Sequence, residues 1–225
     1  MMSHLIVFDM DDTLFPEKEF VKSGFLAVDS FLKSELSICN FFEKAWSDFN
    51  SGRREYIFNK VLDDIYSGTE KGKLVDKMVH VYRSHLPSIK LYSDAEWALK
   101  HYSKYTSLAL LSDGYLETQK NKAKMLDIRP YIEKFYFTDQ WGKQCWKPSD
   151  CAFKKVEHDF KLKFESYTYI ADNPIKDFIA PKIMGWNTIC IKRGLGEYDD
   201  VQIPSNGEPE HTIKNLYELE EIIKL

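Results

Sequence analysis

Leu5-Ile6-Val7-Phe8 is an unbroken apolar run that stops on Asp9, with a turn at Asp11-Asp12-Thr13. The run is too short to span a membrane and fits a strand covered on both faces. After Phe15-Pro16 the period changes, and residues 17 to 86 read as helical throughout. Val21, Phe25, Val28, Leu32 and Leu36 mark one amphipathic face. Ile38, Phe41, Phe42, Ala45, Trp46 and Phe49 mark a second. Ile57, Val61, Leu62 and Ile65 form a third, and Leu74, Val75, Met78, Tyr82 and His85 a fourth. Breaks fall near Cys39-Asn40, at Ser51-Gly52 and at Ser67-Gly68-Thr69, where turn formers gather. These aromatic stripes read as helix-packing surface rather than a cofactor site.

Past Pro87, strand and helix patterns alternate. Ala95, Ala98, Leu99 and Tyr102 predict a helix, and Ser107 to Leu111 a buried strand ending at Ser112-Asp113-Gly114. Leu116, Ala123 and Leu126 mark another helix, Phe135 to Phe137 a short strand, and Ala152, Phe153, Val156 and Phe160 a further helix. Tyr167 to Ile170 is a strand running into Ala171-Asp172-Asn173-Pro174, and Thr188 to Ile191 is the last clear one. Asn215 with Glu218 three residues on reads as a capping box for a final helix. Repeated strand–helix units predict an α/β fold, a doubly wound parallel sheet. Four short antiparallel helices inserted after the first strand would form a bundle, or cap. The expected division is residues 1–16 with 87–225 as the α/β core, and 17–86 as the inserted cap.

Ligand chemistry in an open parallel sheet gathers at the carboxyl ends of strands. Four polar groups follow strand-like runs here: Asp9 with Asp11, Ser112, Lys147, and Asp172 with Asp177. Asp9 and Asp11, two apart, project to the same side of the chain. Acids clustered beside a buried strand repel unless they share a proton or a cation, and Mg²⁺ is the simplest supplier of that charge. A carboxylate can act as a nucleophile, and a lysine together with Mg²⁺ can neutralise phosphoryl oxygens. The hydroxyl and amides of Ser112-Asp113-Gly114, entering a helix, can hold an anion. Singly, each motif has a plain structural explanation: Ser-Asp-Gly is an ordinary turn, a lone lysine is usually solvated, and Asp-Asn-Pro starts many helices. In this order, at strand ends, the set favours phosphoryl transfer.

The set resembles the haloacid dehalogenase superfamily, in the branch with a helical cap inserted after the first motif. The likeness rests on Phe8-Asp9-Met10-Asp11-Asp12-Thr13, Leu111-Ser112-Asp113-Gly114, Lys147-Pro148 and Asp172-Asn173-Pro174-Ile175-Lys176-Asp177. It continues through Tyr82 to Pro87, Gln119-Lys120-Asn121-Lys122, Gly142 and Gly185 to Thr188. It implies a Mg²⁺-dependent phosphatase acting on a small phosphorylated metabolite through an aspartyl-phosphate. Asp9 would be the nucleophile, and Asp11 would protonate the leaving group and then activate water. Ser112, Asp113, Gly114 and Lys147 would bind the phosphoryl group. Asp9, the backbone carbonyl of Asp11, and Asp172 would hold the metal, with Asp177 and Asn173 in support. A phosphomutase of the same superfamily is the alternative. A dehalogenase needs no second carboxylate, and a phospho-acceptor signalling domain lacks both that acid and the helical insert. Departures include Pro181 inside an expected helix, which should bend or split it, and Ser149-Asp150-Cys151 after Lys-Pro.

Composition sets the outer bounds. With 225 residues, 44% hydrophobic and rich in aromatics, the chain can bury a substantial core. The net charge of −4 gives no overall field for nucleic acid or for an acidic membrane. Met-Met-Ser-His lacks the regions of a signal peptide. Cys39, Cys145, Cys151 and Cys190 show no zinc or redox spacing, and His80 and His85 face apart on a helix. Free thiols in the cytoplasm, and a monomer or homodimer, are the expectations. Glu35, Ser37, Asn40, Arg53, Arg54 and Lys71 lie in cap loops, and Arg53-Arg54 reads as solvated surface rather than a second anion site.

Overall fold

The computed structural model describes residues 4–160, 164–194, 198 and 201–224. Its centre is a six-stranded, all-parallel sheet made of β1 (His4–Phe8), β2 (Ser107–Ser112), β3 (Lys134–Phe137), β4 (Ser166–Ala171), β5 (Asn187–Ile191) and β6 (His211–Ile213). The spatial order is β3-β2-β1-β4-β5-β6. From β1 the chain steps outward through β2 to β3, then crosses to β4 on the other side and steps outward again. The sense of winding therefore reverses beside β1, which makes the carboxyl ends of β1, β2 and β4 the crevice of a doubly wound sheet. Register brings Phe8 level with both Leu110 and Ile170.

Burial explains why these runs are apolar without a break. Leu5, Val7, Ala109, Leu111 and Tyr169 pack on one face with Ala152, Phe153 and Val156. Ile6, Phe8, Leu108 and Leu110 point to the other face and are equally buried. The helices of this part are α5 (Ser93–Tyr102), α6 (Leu116–Met125), α7 (Cys151–Asp159), α8 (Ile179–Ile183) and α9 (Leu219–Ile222), following α1 to α4 in chain order. Pro181 limits α8 to five residues, and turns occupy the segment before it. The end of the chain departs from a simple capping box. Asn215 Oδ1 accepts from Tyr217 N, while Glu218 Oε1 reaches back to the Lys214 amide and to Asn215 Nδ2. A 3₁₀ turn results before the short α9.

The chain divides into two compact units, Met1–Glu17 with Lys90–Leu225, and Lys18–Ile89. The second unit is helical: α1 (Glu17–Leu36) enters it, followed by α2 (Phe41–Asn50), α3 (Ile57–Ile65) and α4 (Lys71–Ser84). Val21, Phe25, Val28, Leu32, Phe41, Val61, Leu62, Leu74 and Met78 make its core. Gly24 is required there, because a Cβ would collide with the Tyr82 ring. Arg53 pairs with Asp48 at 3.2 Å and Arg54 lies 4.2 Å over Phe49, so both are engaged on this unit's own exposed surface.

Among the described residues no helix is long and apolar enough to cross a membrane. One expectation is corrected: Cys145 and Cys151 form a disulfide, while Cys39 and Cys190 are free. The turn ahead of α7 brings their Cα atoms to 5.1 Å, a closeness that sequence spacing does not reveal. The cysteines thus no longer argue for a reducing compartment.

Candidate active site

Asp9 continues the line of β1, its amide donating to the Ile170 carbonyl at 2.9 Å. It stands over a cleft of about 220 Å³ at the carboxyl ends of β1, β2 and β4. Asp11, Ser112, Asp113, Gly114, Asp172 and Asn173 line the same cleft, joined by Asp12, Gln119, Trp146 and Lys176. Lys147 and Asp177 lie buried beside it. All nine residues singled out from the sequence therefore come together.

Lys147 is the hub. Its Nζ is 2.8 Å from Asp9 Oδ1, 2.9 Å from the Tyr169 hydroxyl and 2.7 Å from Asp177 Oδ1. The last approach lacks hydrogen-bond angles, since Asp177 Oδ1 has no hydrogen-bond partner, so the contact is Coulombic. Asp177 is anchored through Oδ2, which accepts the Asn173 amide at 3.0 Å. Asn173 in turn accepts from the Ile175 amide, an Asx turn that shapes the loop after β4. Burial favours the neutral lysine, but Asp177 and Asp9 outweigh it and hold Lys147 well above its ordinary pKa.

Asp9 shows the opposite balance. Burial drives its pKa up to about 7, against the pull of Lys147 and with a further push from Asp177. Asp172 is raised well above the usual carboxylate range by burial, then by Asp177 and Asp9. Carboxylate oxygens of Asp9, Asp172 and Asp177 all lie within 4.8 Å of one another. Around the cleft carboxylates outnumber the lysines Lys122, Lys147 and Lys176. A compact set of hard oxygen donors with unrelieved repulsion fits a divalent cation such as Mg²⁺.

The loop after β2 has two roles. The Ser112 hydroxyl is buried, with only a marginal 3.5 Å contact to the Asp113 carbonyl. The Asp113 carboxylate turns away from any anion. It accepts from Thr138 Oγ1 at 2.8 Å, from the Lys147 amide at 3.2 Å and from Lys176 Nζ at 3.1 Å. Burial would raise its pKa, but Lys147 and Lys176 outweigh that and lower it. Asp113 thus ties the lysine loop to β2, and its neighbour Gly114, at φ 122°, lets Gln119 fold against the turn.

Asp11 and Asp12, though adjacent to Asp9 in sequence, have separate partners. Asp12 adopts a left-handed conformation and its Oδ1 accepts the Glu17 amide at 2.8 Å, capping α1. Asp11 meets Lys122 Nζ at 2.7 Å and Gln119 Nε2 at 3.2 Å. The Asp11 carboxylate does not join the Asp9–Asp172–Asp177 set; its backbone carbonyl, the group expected at the metal, accepts the Thr13 amide at 2.6 Å. Two further groups were not singled out from the sequence. Tyr169 reads as plain strand but turns its hydroxyl to Lys147. Arg193, stacked over Tyr92, forks onto Asp94 at 3.0 and 3.1 Å and onto the carbonyls of Asp12 and Thr13. It thereby braces the turn that carries the acids.

Comparison with known proteins identifies the family. The family model described as "Haloacid dehalogenase-like hydrolase" matches residues 6–191. A glyceraldehyde 3-phosphate phosphatase of Methanocaldococcus jannaschii is 29% identical, over 97% of this chain and 96% of that protein. Among solved structures, the protein YfnB of Bacillus subtilis, assigned as a HAD-hydrolase and bound to magnesium, superposes with a TM-score of 0.69 at 16% identity, covering all of both chains. A 2-haloacid dehalogenase of Pseudomonas syringae gives 0.65 at 18% identity over 98% of each chain. At such identities the structures speak for fold alone, but the family match spans most of the sequence: the chain belongs to the haloacid dehalogenase-like hydrolases.

Proposed function

We propose that this protein is a Mg²⁺-dependent phosphatase of small phosphorylated metabolites, working through an aspartyl-phosphate on Asp9. The observation that carries the reading is the buried Asp9–Lys147 pair at 2.8 Å, set beside Asp172 and Asp177 at the rim of a polar cleft. Asp9 would attack phosphorus in line and expel the ester oxygen, and Asp11 would give that oxygen its proton. Water would then attack the phosphorus of the acyl phosphate, its proton passing to Asp11, and the bond from phosphorus to Asp9 would break to free the carboxylate and release inorganic phosphate. Lys147 compensates part of the charge of Asp9 and would face the phosphoryl oxygens, so that an anionic nucleophile can approach an anionic group. Ser112 and the amides after it would hold the remaining oxygens. Asp9, Asp172 and the Asp11 carbonyl would hold Mg²⁺, which supplies positive charge to the phosphoryl group. Asp177 would keep Lys147 in place.

The second carboxylate favours phosphate ester over halide chemistry, because halide leaves without a proton. The likeness to a glyceraldehyde 3-phosphate phosphatase puts short-chain aldose phosphates first among substrates to try. The test is phosphate release from a panel of triose, pentose and hexose phosphates and nucleoside monophosphates, with and without chelator. Hydrolysis that needs Mg²⁺, with base-labile phosphate trapped on Asp9 by acid quench, is the expected result. Full activity in excess chelator, or turnover without any phosphoenzyme, would overturn the reading.

A further inference from the structure

We propose that Lys122 and Gln119 are a positioning pair that sets the orientation of Asp11 for proton exchange with the leaving group; the inference rests on the phosphatase reading above. Both lie on α6, three residues apart and hence on one face. Each is almost completely buried, at 2% and 3% exposure. Each donates to a different oxygen of one carboxylate, Lys122 to Asp11 Oδ1 at 2.7 Å and Gln119 to Oδ2 at 3.2 Å. Gln119 is itself fixed by a second bond, 2.5 Å to the Asp113 carbonyl. The pair therefore links Asp11 to the loop that carries Ser112.

The fold alone does not call for these residues. Position 122 adjoins Ala123 on the buried side of α6, where an aliphatic side chain would pack without desolvating an ammonium. A buried lysine carries both a desolvation cost and the loss of a flexible chain's rotamers. The group it serves is Asp11, which is a fifth exposed and borders the cleft. An aspartate there has two free side-chain torsions and, without donors, would sample several rotamers. With a donor on each oxygen, both torsions are fixed, and each oxygen keeps a lone pair on which the exchanged proton would sit. The pair touches no reacting atom. It acts through Asp11, whose proton passes to the ester oxygen as the phosphorus–oxygen bond breaks and is regained from the attacking water.

Lys122→Met, Gln119→Leu, Asp11→Asn and the double variants with Asp11→Asn test this, with glycerol 3-phosphate and p-nitrophenyl phosphate as the alkyl and aryl esters. Lys122→Met should lower kcat at least about tenfold more for the alkyl ester, whose leaving group needs the proton, with little change in KM. The double variant Asp11→Asn/Lys122→Met should lose no more turnover than Asp11→Asn alone, if the lysine bears on proton transfer through that carboxylate. If circular dichroism shows Lys122→Met unfolded, Gln119→Leu carries the same cycle. Equal loss on both esters, or losses that multiply in the double variant, would overturn the proposal. An Asp11→Asn enzyme that discriminates between the esters beside a Lys122→Met enzyme that does not would sink this inference and leave the phosphatase reading standing. No discrimination by Asp11→Asn would remove Asp11 as proton carrier and overturn both.

Discussion

Replacing Lys147 by alanine should cost both stability and turnover, and the stability cost should depend on pH. The ammonium is buried and lies 2.8 Å from Asp9 and 2.7 Å from Asp177. At an effective dielectric near 20, each contact is worth about 6 kcal/mol of Coulomb energy, much of it cancelled by desolvation of the ions. Truncation leaves two buried carboxylates facing each other, and breaking such a pair typically costs about 3–5 kcal/mol. The pH dependence follows from Asp9, already raised to about 7 by burial and Asp177 despite Lys147. A carboxyl raised in the folded state adds stability at low pH and loses it as pH rises through the folded value. Without Lys147 the folded value rises further, so the deficit should be larger at pH 8, above the wild-type value, than at pH 5, where protons replace the lysine. Urea unfolding of metal-free wild type and variant at the two pH values measures this. Turnover should fall by about a hundredfold or more, because an uncompensated carboxylate must meet an anionic phosphoryl group. Lys147→Arg should rescue little, since a planar fork does not replace a compact ammonium among three close partners. A deficit under about 1 kcal/mol at both pH values, or near-normal turnover, would refute the reasoning.

The metal-free protein should lose thermal stability as pH rises from about 4 to about 7, the window between the ordinary and the raised pKa of Asp9, with Asp172 shifted in the same direction. Mg²⁺ should therefore raise Tm more at pH 8 than at pH 5, and equal shifts would argue against binding at these acids. Asp9→Asn should abolish turnover of every ester while the circular dichroism spectrum is kept, because an amide cannot form the acyl phosphate; residual turnover would place the nucleophile elsewhere. Arg193→Ala should cost about 3 kcal/mol or more in urea unfolding, because it leaves the buried Asp94 without its cation, held only by the Ala95 and Leu216 amides, and frees two carbonyls of the acid-bearing turn. A loss below about 1 kcal/mol would mean that the fork is surface decoration.

The sheet was legible where strands are buried on both faces, because β1, β2, β4 and β5 are then written as continuous apolar runs. The edge strand β6 was not, since His211 and Thr212 face solvent and only Ile213 is buried. The four helices between β1 and α5 were legible from their stripes, and the breaks at Cys39-Asn40, Ser51-Gly52 and Ser67-Gly68-Thr69 fall between them. The candidate site was legible as residue types at strand ends, but its wiring was not. Lys122 and Gln119 lie 111 and 108 residues from Asp11, and Arg193 lies 99 residues from Asp94 and 181 and 180 from the carbonyls of Asp12 and Thr13, and no local pattern encodes that approach. A faint signal existed at Gln119 and Lys122, polar residues set among Ala123 and Leu126 on a face otherwise fit for burial. The Cys145–Cys151 bridge left no such trace, because its spacing matches no common framework.

Two aspartates two residues apart would be chemically equivalent in an unfolded chain, and the fold makes them different. Asp9 shares one buried lysine with Asp177 and lies among other acids, so its charge is compensated only in part. Asp11 has a lysine and an amide of its own, supplied by a different helix, and stays partly open to the cleft. Asp113 takes a third lysine, Lys176, and with it the backbone of the Lys147 loop. The closest cation of Asp11 is thus not the one that meets Asp9, and the excess of negative charge gathers where Asp9, Asp172 and Asp177 meet. A cation bound there would complete the compensation of Asp9 without engaging the Asp11 carboxylate. That separation is what the proposed two-step reaction would require of its carboxylates: one to bond to phosphorus, and another, paired with its own cation, to carry the proton.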